Sequence, residues 1–119
     1  MPQTVLMQMS FFDALDSLVS SAEVRIDRPK GTAHPRYPAV TYPLDYGYLI
    51  GTTAADGAGV DIFRGTDSTT GITAVALTVD AMKRDVEVKI LVSCSLTEID
   101  RVAEFLTGSI RLGATIVHR

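Results

Sequence analysis

The sequence predicts a mostly β domain: a small antiparallel barrel of about five short strands, with a short helix towards each end of the chain. Three observations carry this reading. From Asp85 to Cys94 the residues alternate, with Val86, Val88, Ile90 and Val92 on one face and Asp85, Glu87 and Lys89 on the other; a period of two is the mark of a strand. Turn formers such as Pro29-Lys30-Gly31 and Asp56-Gly57-Ala58-Gly59 punctuate runs too short to be helices. Helical spacing occurs in only two stretches, one near each end. Strands in succession with helices set apart favour an antiparallel barrel over a parallel α/β sheet.

The elements follow in order. Ser10 caps a helix whose apolar residues Phe11, Phe12, Leu15, Leu18 and Val19 recur at helical spacing. Ser20 and Ser21 end it. Ala22–Arg28 is a half-buried strand with Val24 and Ile26 on one side. Tyr46–Ile50 and Val60–Phe63 are strands closed by Gly51 and Gly65. Ile72–Val79 is a β-branched run joined to the alternating strand Asp85–Cys94 by Ala81-Met82-Lys83-Arg84, the clearest hairpin in the chain. Ser95-Leu96-Thr97-Glu98 is a capping box for a helix striped by Ile99, Val102, Ala103 and Leu106, and ended by Gly108. Ala114–Val117 reads as a last strand.

A chain of 119 residues, 46% of them hydrophobic, is expected to form one globular domain with its own core. A formal charge of −3 gives no overall field for nucleic acid or anionic lipid, so neither is an expected partner. Cys94 is the single cysteine; it cannot make an internal disulfide, and its place in an apolar run reads as a core thiol. No apolar run reaches the roughly 20 residues of a membrane span. Met1–Met9 lacks Lys and Arg and is too short for a secretory leader. The cytoplasm is the expected compartment. The helix face of Phe11, Phe12 and Leu15 is more apolar than a small core needs, which suggests self-association.

Carboxylates are the candidates for chemistry. Asp56 and Asp61 stand five apart across a glycine-rich turn, and Asp80 and Asp85 stand five apart at the two mouths of the hairpin. Like charges opposite one another on a sheet are unfavourable, and Mg²⁺ prefers one or two carboxylates with waters and substrate phosphates. Asp is also simply at home in turns and at strand ends. Arg25, Arg28, Lys30, Arg36, Lys83, Arg84 and Lys89 are placed to hold phosphoryl oxygens or to pair across a solvated face. Tyr42 and Tyr46 could offer hydroxyls to an oxyanion, or be core residues. His34 reads as an exposed loop residue. No Ser-His-Asp order, zinc spacing or phosphate-cradling glycine loop is present.

Tyr42-Pro43-Leu44-Asp45-Tyr46-Gly47-Tyr48, followed by Asp56-Gly57-Ala58-Gly59-Val60-Asp61, resembles the soluble inorganic pyrophosphatases, whose hallmark is Y-P-x-N-Y-G-Y and then D-G-D-P-x-D at this distance. The hairpin from Asp80 to Lys89 is similar to that family's second acidic element. Ile26-Asp27-Arg28-Pro29 is similar to its opening I-E-I-P strand. The resemblance spans about Ala22 to Val92. It implies an OB-like five-stranded barrel and Mg²⁺-dependent hydrolysis of pyrophosphate to phosphate. It implies Asp56, Asp61, Asp80 and Asp85 as metal ligands, Asp61, Tyr46 and Lys89 as catalytic residues, and Arg36, Tyr46 and Lys89 as substrate contacts. Lys89 matches the family's lysine only with a shift of two residues, because Glu87 holds the stricter position.

The departures matter. Ala58 replaces the middle carboxylate, which in the family helps to activate the attacking water. Pro38 replaces an expected glutamate, and Asp45 stands for the usual Asn. The late tyrosine-lysine pair has no match after Phe105. Asp45 and Glu87 are the available substitute acids. The resemblance thus leaves two expectations open: a slow hydrolase, or a degenerate barrel that binds a phosphorylated ligand or a protein partner.

Overall fold

The computed structural model describes residues 9–119; the reading of Met1–Met9 as no leader falls almost wholly outside them. Two helices and six strands follow one another as α1 (Phe11–Ser20), β1 (Val24–Arg28), β2 (Asp45–Leu49), β3 (Val60–Arg64), β4 (Ile72–Asp80), β5 (Asp85–Val92), α2 (Leu96–Glu104) and β6 (Gly113–His118), with a π-helical turn at Phe105–Ser109 after α2. The protein is mostly β with short helices towards both ends, as expected. The strands form one six-stranded sheet in the order β1-β2-β3-β5-β4-β6, which is not a closed five-stranded barrel.

One pairing overturns the wholly antiparallel expectation: β3 and β5 are parallel, with Ile62 opposite Ile90 and Phe63 opposite Leu91. The hairpin β4–β5 explains it. Its first strand lies on the far side, so its second strand lands beside β3, and β6 then adds outside β4. Period-two alternation reveals a strand but not its neighbour, which is why the sequence did not show this.

Each face of the sheet carries one helix. The Ser10 hydroxyl accepts from the Asp13 N–H at 3.1 Å and starts α1. Phe12, Leu15, Leu18 and Val19 of α1 pack on Leu49, Ile62, Ile72 and Ile90. Two of the three residues proposed for self-association, Phe12 and Leu15, are therefore partly buried against the core, and Phe11 stays 54% exposed. Arg119 ties the other end of the chain to this helix, bonding Asp16 at 2.8 and 2.6 Å and lying 5.4 Å from the Phe12 ring centre.

On the opposite face, α2 packs Ile99 and Val102 against Phe63, Ala74, Ala76 and Leu91. The capping box at Ser95 forms as read: Ser95 Oγ accepts from the Glu98 N–H, and the Glu98 carboxylate accepts from the Ser95 N–H at 2.9 Å. Glu98 also accepts from the Thr66 N–H and hydroxyl, so one buried carboxylate links α2 to the loop after β3. Cys94 is buried here; burial, with Glu98 nearby, pushes its thiol up to about 12, so it stays protonated.

The alternation of β5 is real, but its faces are used differently from the simple polar-out pattern. Ile90 is buried in the core beneath α1 and Val92 is partly buried there, whereas Val88 and Val86, beyond the helix, are 38% and 63% exposed. The face of Asp85, Glu87 and Lys89 turns inward. Among the described residues no helix is long and apolar enough to cross a membrane.

Candidate functional site

The inward polar face of β5 forms one wall of a cleft of about 280 Å³, on the same side of the sheet as α2. The cleft continues the inner core outward: along β3 Phe63 is followed by Asp61, along β2 Tyr46 by Tyr48, and along β5 Leu91 by Lys89 and Glu87. Gly47, between the two tyrosines, is required by close approach. A Cβ there would lie 1.8 Å from the Arg25 carbonyl oxygen across the β1–β2 pairing. The Tyr-Gly-Tyr sequence is thus what lets β1 press against β2 while both rings line the cleft.

Lys89 is the centre of the acidic wall. Its side chain is only 8% exposed, and Nζ donates to Asp61 at 2.8 Å, Glu87 at 2.9 Å and the Tyr46 hydroxyl at 3.0 Å. These three bonds use every proton of an ammonium group. Burial works to discharge Lys89, but the Tyr46 and Asp61 oxygens outweigh it and hold the ammonium above its ordinary pKa. Burial also raises Tyr46. Glu87 is raised by burial against the opposing pull of Lys89, with Asp56 and Asp61 adding to the rise. Asp56 is lowered, first by the Ala58 N–H that it accepts at 3.0 Å and then by the neighbouring Glu87.

The second pair of acids ends the hairpin. Asp80 and Asp85 face each other in register, and neither makes an ion pair among the described residues. Asp80 Oδ1 accepts from the Met82 and Lys83 N–H groups at 3.1 Å each, so it also shapes the turn. Both carboxylates line the cleft.

The opposite wall is cationic and aromatic. A register shift between Ile26 and Arg28 turns Arg28 towards Tyr42, whose hydroxyl accepts from the guanidinium at 2.5 Å. The His34 ring stacks on Tyr42, with centroids 5.6 Å apart and planes 10° apart, and lies 5.1 Å from Tyr37. His34 Nδ1 accepts from the Arg36 and Tyr37 N–H groups at 3.0 and 3.3 Å, which leaves the proton on Nε2. His34 is lowered by burial first, and then by the charges of Arg28, Arg36 and Lys83. None of those three cations pairs with a carboxylate among the described residues.

All seven residues singled out in the sequence, Arg36, Tyr46, Asp56, Asp61, Asp80, Asp85 and Lys89, line this one cleft. Their roles divide. Lys89 pairs with both Asp61 and Glu87, offsetting one of their two charges, and has no proton left to offer a ligand. Of the two substitute acids, Glu87 lines the cleft, whereas Asp45 turns to Arg64 at 3.3 Å and the Lys30 N–H at 2.9 Å. Arg25, Lys30 and Arg84 lie outside the cleft. His34, read from the sequence as an exposed loop residue, is instead partly buried and lines the cleft. Its signal is slight: a histidine two residues before an arginine, in a loop that also holds Tyr37 and Tyr42.

No protein family and no curated protein matches the chain in sequence. In fold it is similar to the crystal structure of an inorganic phosphatase from Anaplasma phagocytophilum, with a TM-score of 0.53 and 12% identity over 82% of this chain and 81% of that one.

Proposed function

We propose that this cleft binds inorganic pyrophosphate or a related small diphosphate, and hydrolyses it slowly to phosphate. The observation that carries the reading is the opposition of two walls. Arg28, Arg36 and Lys83, with no carboxylate partners among the described residues, share the cleft with an acidic wall in which Lys89 offsets one of the two charges of Asp61 and Glu87. Unpaired cations beside a neutral imidazole N–H make a receptor for phosphoryl oxygens, and Arg forks fit them bidentately. The fold neighbour, described as an inorganic phosphatase, supports the same direction.

The acids fit one hard cation better than a metal cluster. Among the described residues no three His, Cys, Asp or Glu side chains converge to hold a metal ion. Asp61 is taken by Lys89, and Asp56 by the Ala58 N–H. Asp80 and Asp85 are opposed without a cation, and Mg²⁺ with two carboxylates, waters and substrate phosphate suits such a pair. Bound there, Mg²⁺ would neutralise charge on the phosphate oxygens.

The chain's own residues supply the rest. Arg28, Arg36 and Lys83 hold the diphosphate and the charge that gathers on its oxygens. Glu87, its basicity raised by burial, takes a proton from water as the water oxygen bonds to phosphorus and the bridging P–O bond breaks. The departing phosphate stays against the arginines. Ala58 leaves one acid fewer to prepare that water, so the rate should be low.

The test is phosphate release from pyrophosphate with and without Mg²⁺, alongside calorimetric binding. Glu87→Gln should lower turnover by roughly two orders of magnitude, the usual worth of a general base, and Ala58→Asp should raise it. Binding without turnover would favour the second reading, a ligand-binding scaffold, which the full commitment of the Lys89 protons supports. No binding at millimolar pyrophosphate would remove both.

A further inference from the structure

The cationic wall is built on flat rings, and a bare pyrophosphate has no use for them. Beyond His34 and Tyr42, Tyr37 is 41% exposed and carries the Arg36 guanidinium 5.9 Å from its ring centre. Part of the floor of the same cleft is apolar. Phe105 lies 5.1 Å from Tyr42 and 6.5 Å from His34, and half-buried Ile110 and Leu112 follow it on the way to β6. Arg28 sits 5.6 Å from the Tyr42 ring centre and 5.8 Å from that of Tyr46.

A diphosphate gains nothing from apolar lining, which would be left half-wet beside it. A ligand with a phosphate end and a flat organic end suits the cationic and aromatic side of the lining. Its phosphates would meet Arg28, Arg36 and Lys83, and its ring would lie against Tyr37 and the half-buried Ile110 and Leu112. Rings stack on aromatic side chains and on Arg planes alike.

Resting on the reading of the cleft as a diphosphate site, we propose that its preferred ligand is a nucleoside diphosphate and not inorganic pyrophosphate. The ring is selected by Tyr37 together with the apolar floor, and the diphosphate by the three cations.

The experiment compares binding of adenosine diphosphate and pyrophosphate to the whole chain by calorimetry, with and without Mg²⁺. It repeats the comparison with Tyr37→Ala, an exposed position where truncation does not threaten the core, and with Ile110→Asp. Stacking of one base predicts about tenfold tighter binding of adenosine diphosphate than of pyrophosphate. Tyr37→Ala should bring that ratio close to one, and Ile110→Asp should reduce it. Near-ultraviolet difference spectra of the adenine on binding should change for the wild type and much less for Tyr37→Ala. Equal affinities in the wild type, or a preference that survives Tyr37→Ala, would overturn the proposal and leave the diphosphate site standing. Failure of both ligands to bind would overturn the diphosphate site as well, so the two failures are distinct.

Discussion

Lys89 shows how one side chain decides what the acids around it can do. Its ammonium is enclosed by two carboxylates and a phenol, and it is the cation those acids already have. Replacing it with methionine keeps the volume and removes the charge, leaving Asp61 and Glu87 half-buried and uncompensated. Lys89→Met should therefore cost about 3 kcal/mol at pH 7, as expected when one partner of a buried pair is lost. Part of the loss should return as acid protonates Glu87; urea melts at several pH values would read this. His34 is the complementary case, a base kept neutral by burial and three nearby positive charges. Its imidazole should titrate below the ordinary 6.5 in the free protein. It should move up when pyrophosphate enters, because an anion cancels the repulsion from Arg28, Arg36 and Lys83. Proton NMR of the ring, with and without pyrophosphate, measures both values, and an unmoved titration would place the anion elsewhere. The acids and the basic residues of this cleft were readable in the sequence as types at given spacings. What was not readable is which partner each would take. Lys89 was read as a contact for substrate and is committed to its neighbours, while Arg28 acquires its role from a register shift that no local pattern encodes.

Among the elements, α2 was the most legible, because its start signal is chemical and local. The Ser95–Glu98 box appears as read, and the same carboxylate reaches on to Thr66. Burial would raise Glu98, but the Ser95 and Thr66 donors outweigh it and hold it below the ordinary 4.5. A carboxylate lowered in the folded state adds stability that is complete above 4.5 and fades as pH falls through the lower folded value. Glu98→Ala should thus cost about 2 kcal/mol near neutral pH, since three part-buried hydrogen bonds from Ser95 and Thr66 lose a charged acceptor, and the gap to wild type should narrow in acid. Thermal melts of both proteins between pH 3 and 7 would check it; a gap independent of pH would mean that packing, not charge, is what the substitution removes. The strands were legible as strands but misleading about faces. In β5 the polar row turns inward and two valines outward, because the inward side opens into a cleft while α1 is too short to cover the whole outer side.

At the scale of the molecule, the fold class was legible and the order of strands was not. Alternation, turn residues and two helical stretches yield a mostly β chain with helices near its ends. They carry no information on which edges meet, so the parallel β3–β5 pairing and the sixth strand beside β4 are matters of the whole sheet. That arrangement is also what makes the site. Placing β5 next to β3 brings Lys89 to Asp61, residues 28 apart in the chain.

The same parallel pairing has a consequence in time. The β4–β5 hairpin closes across a four-residue turn and needs no distant partner, so it can form within microseconds, the scale known for hairpins. Pairing β5 with β3 requires a far larger loop to close, and β6 pairs with β4, the first strand of the hairpin, across the intervening helix. Folding should then run outward from the hairpin, with its rate set by the β3–β5 encounter. Truncating Val75 or Ile90 to alanine should slow refolding in proportion to the stability lost. Ile116→Ala, on the strand added last, should act almost wholly by speeding unfolding. Chevron plots of the three variants separate these outcomes. A nucleus that includes β6 would appear as a slowed folding arm for Ile116→Ala.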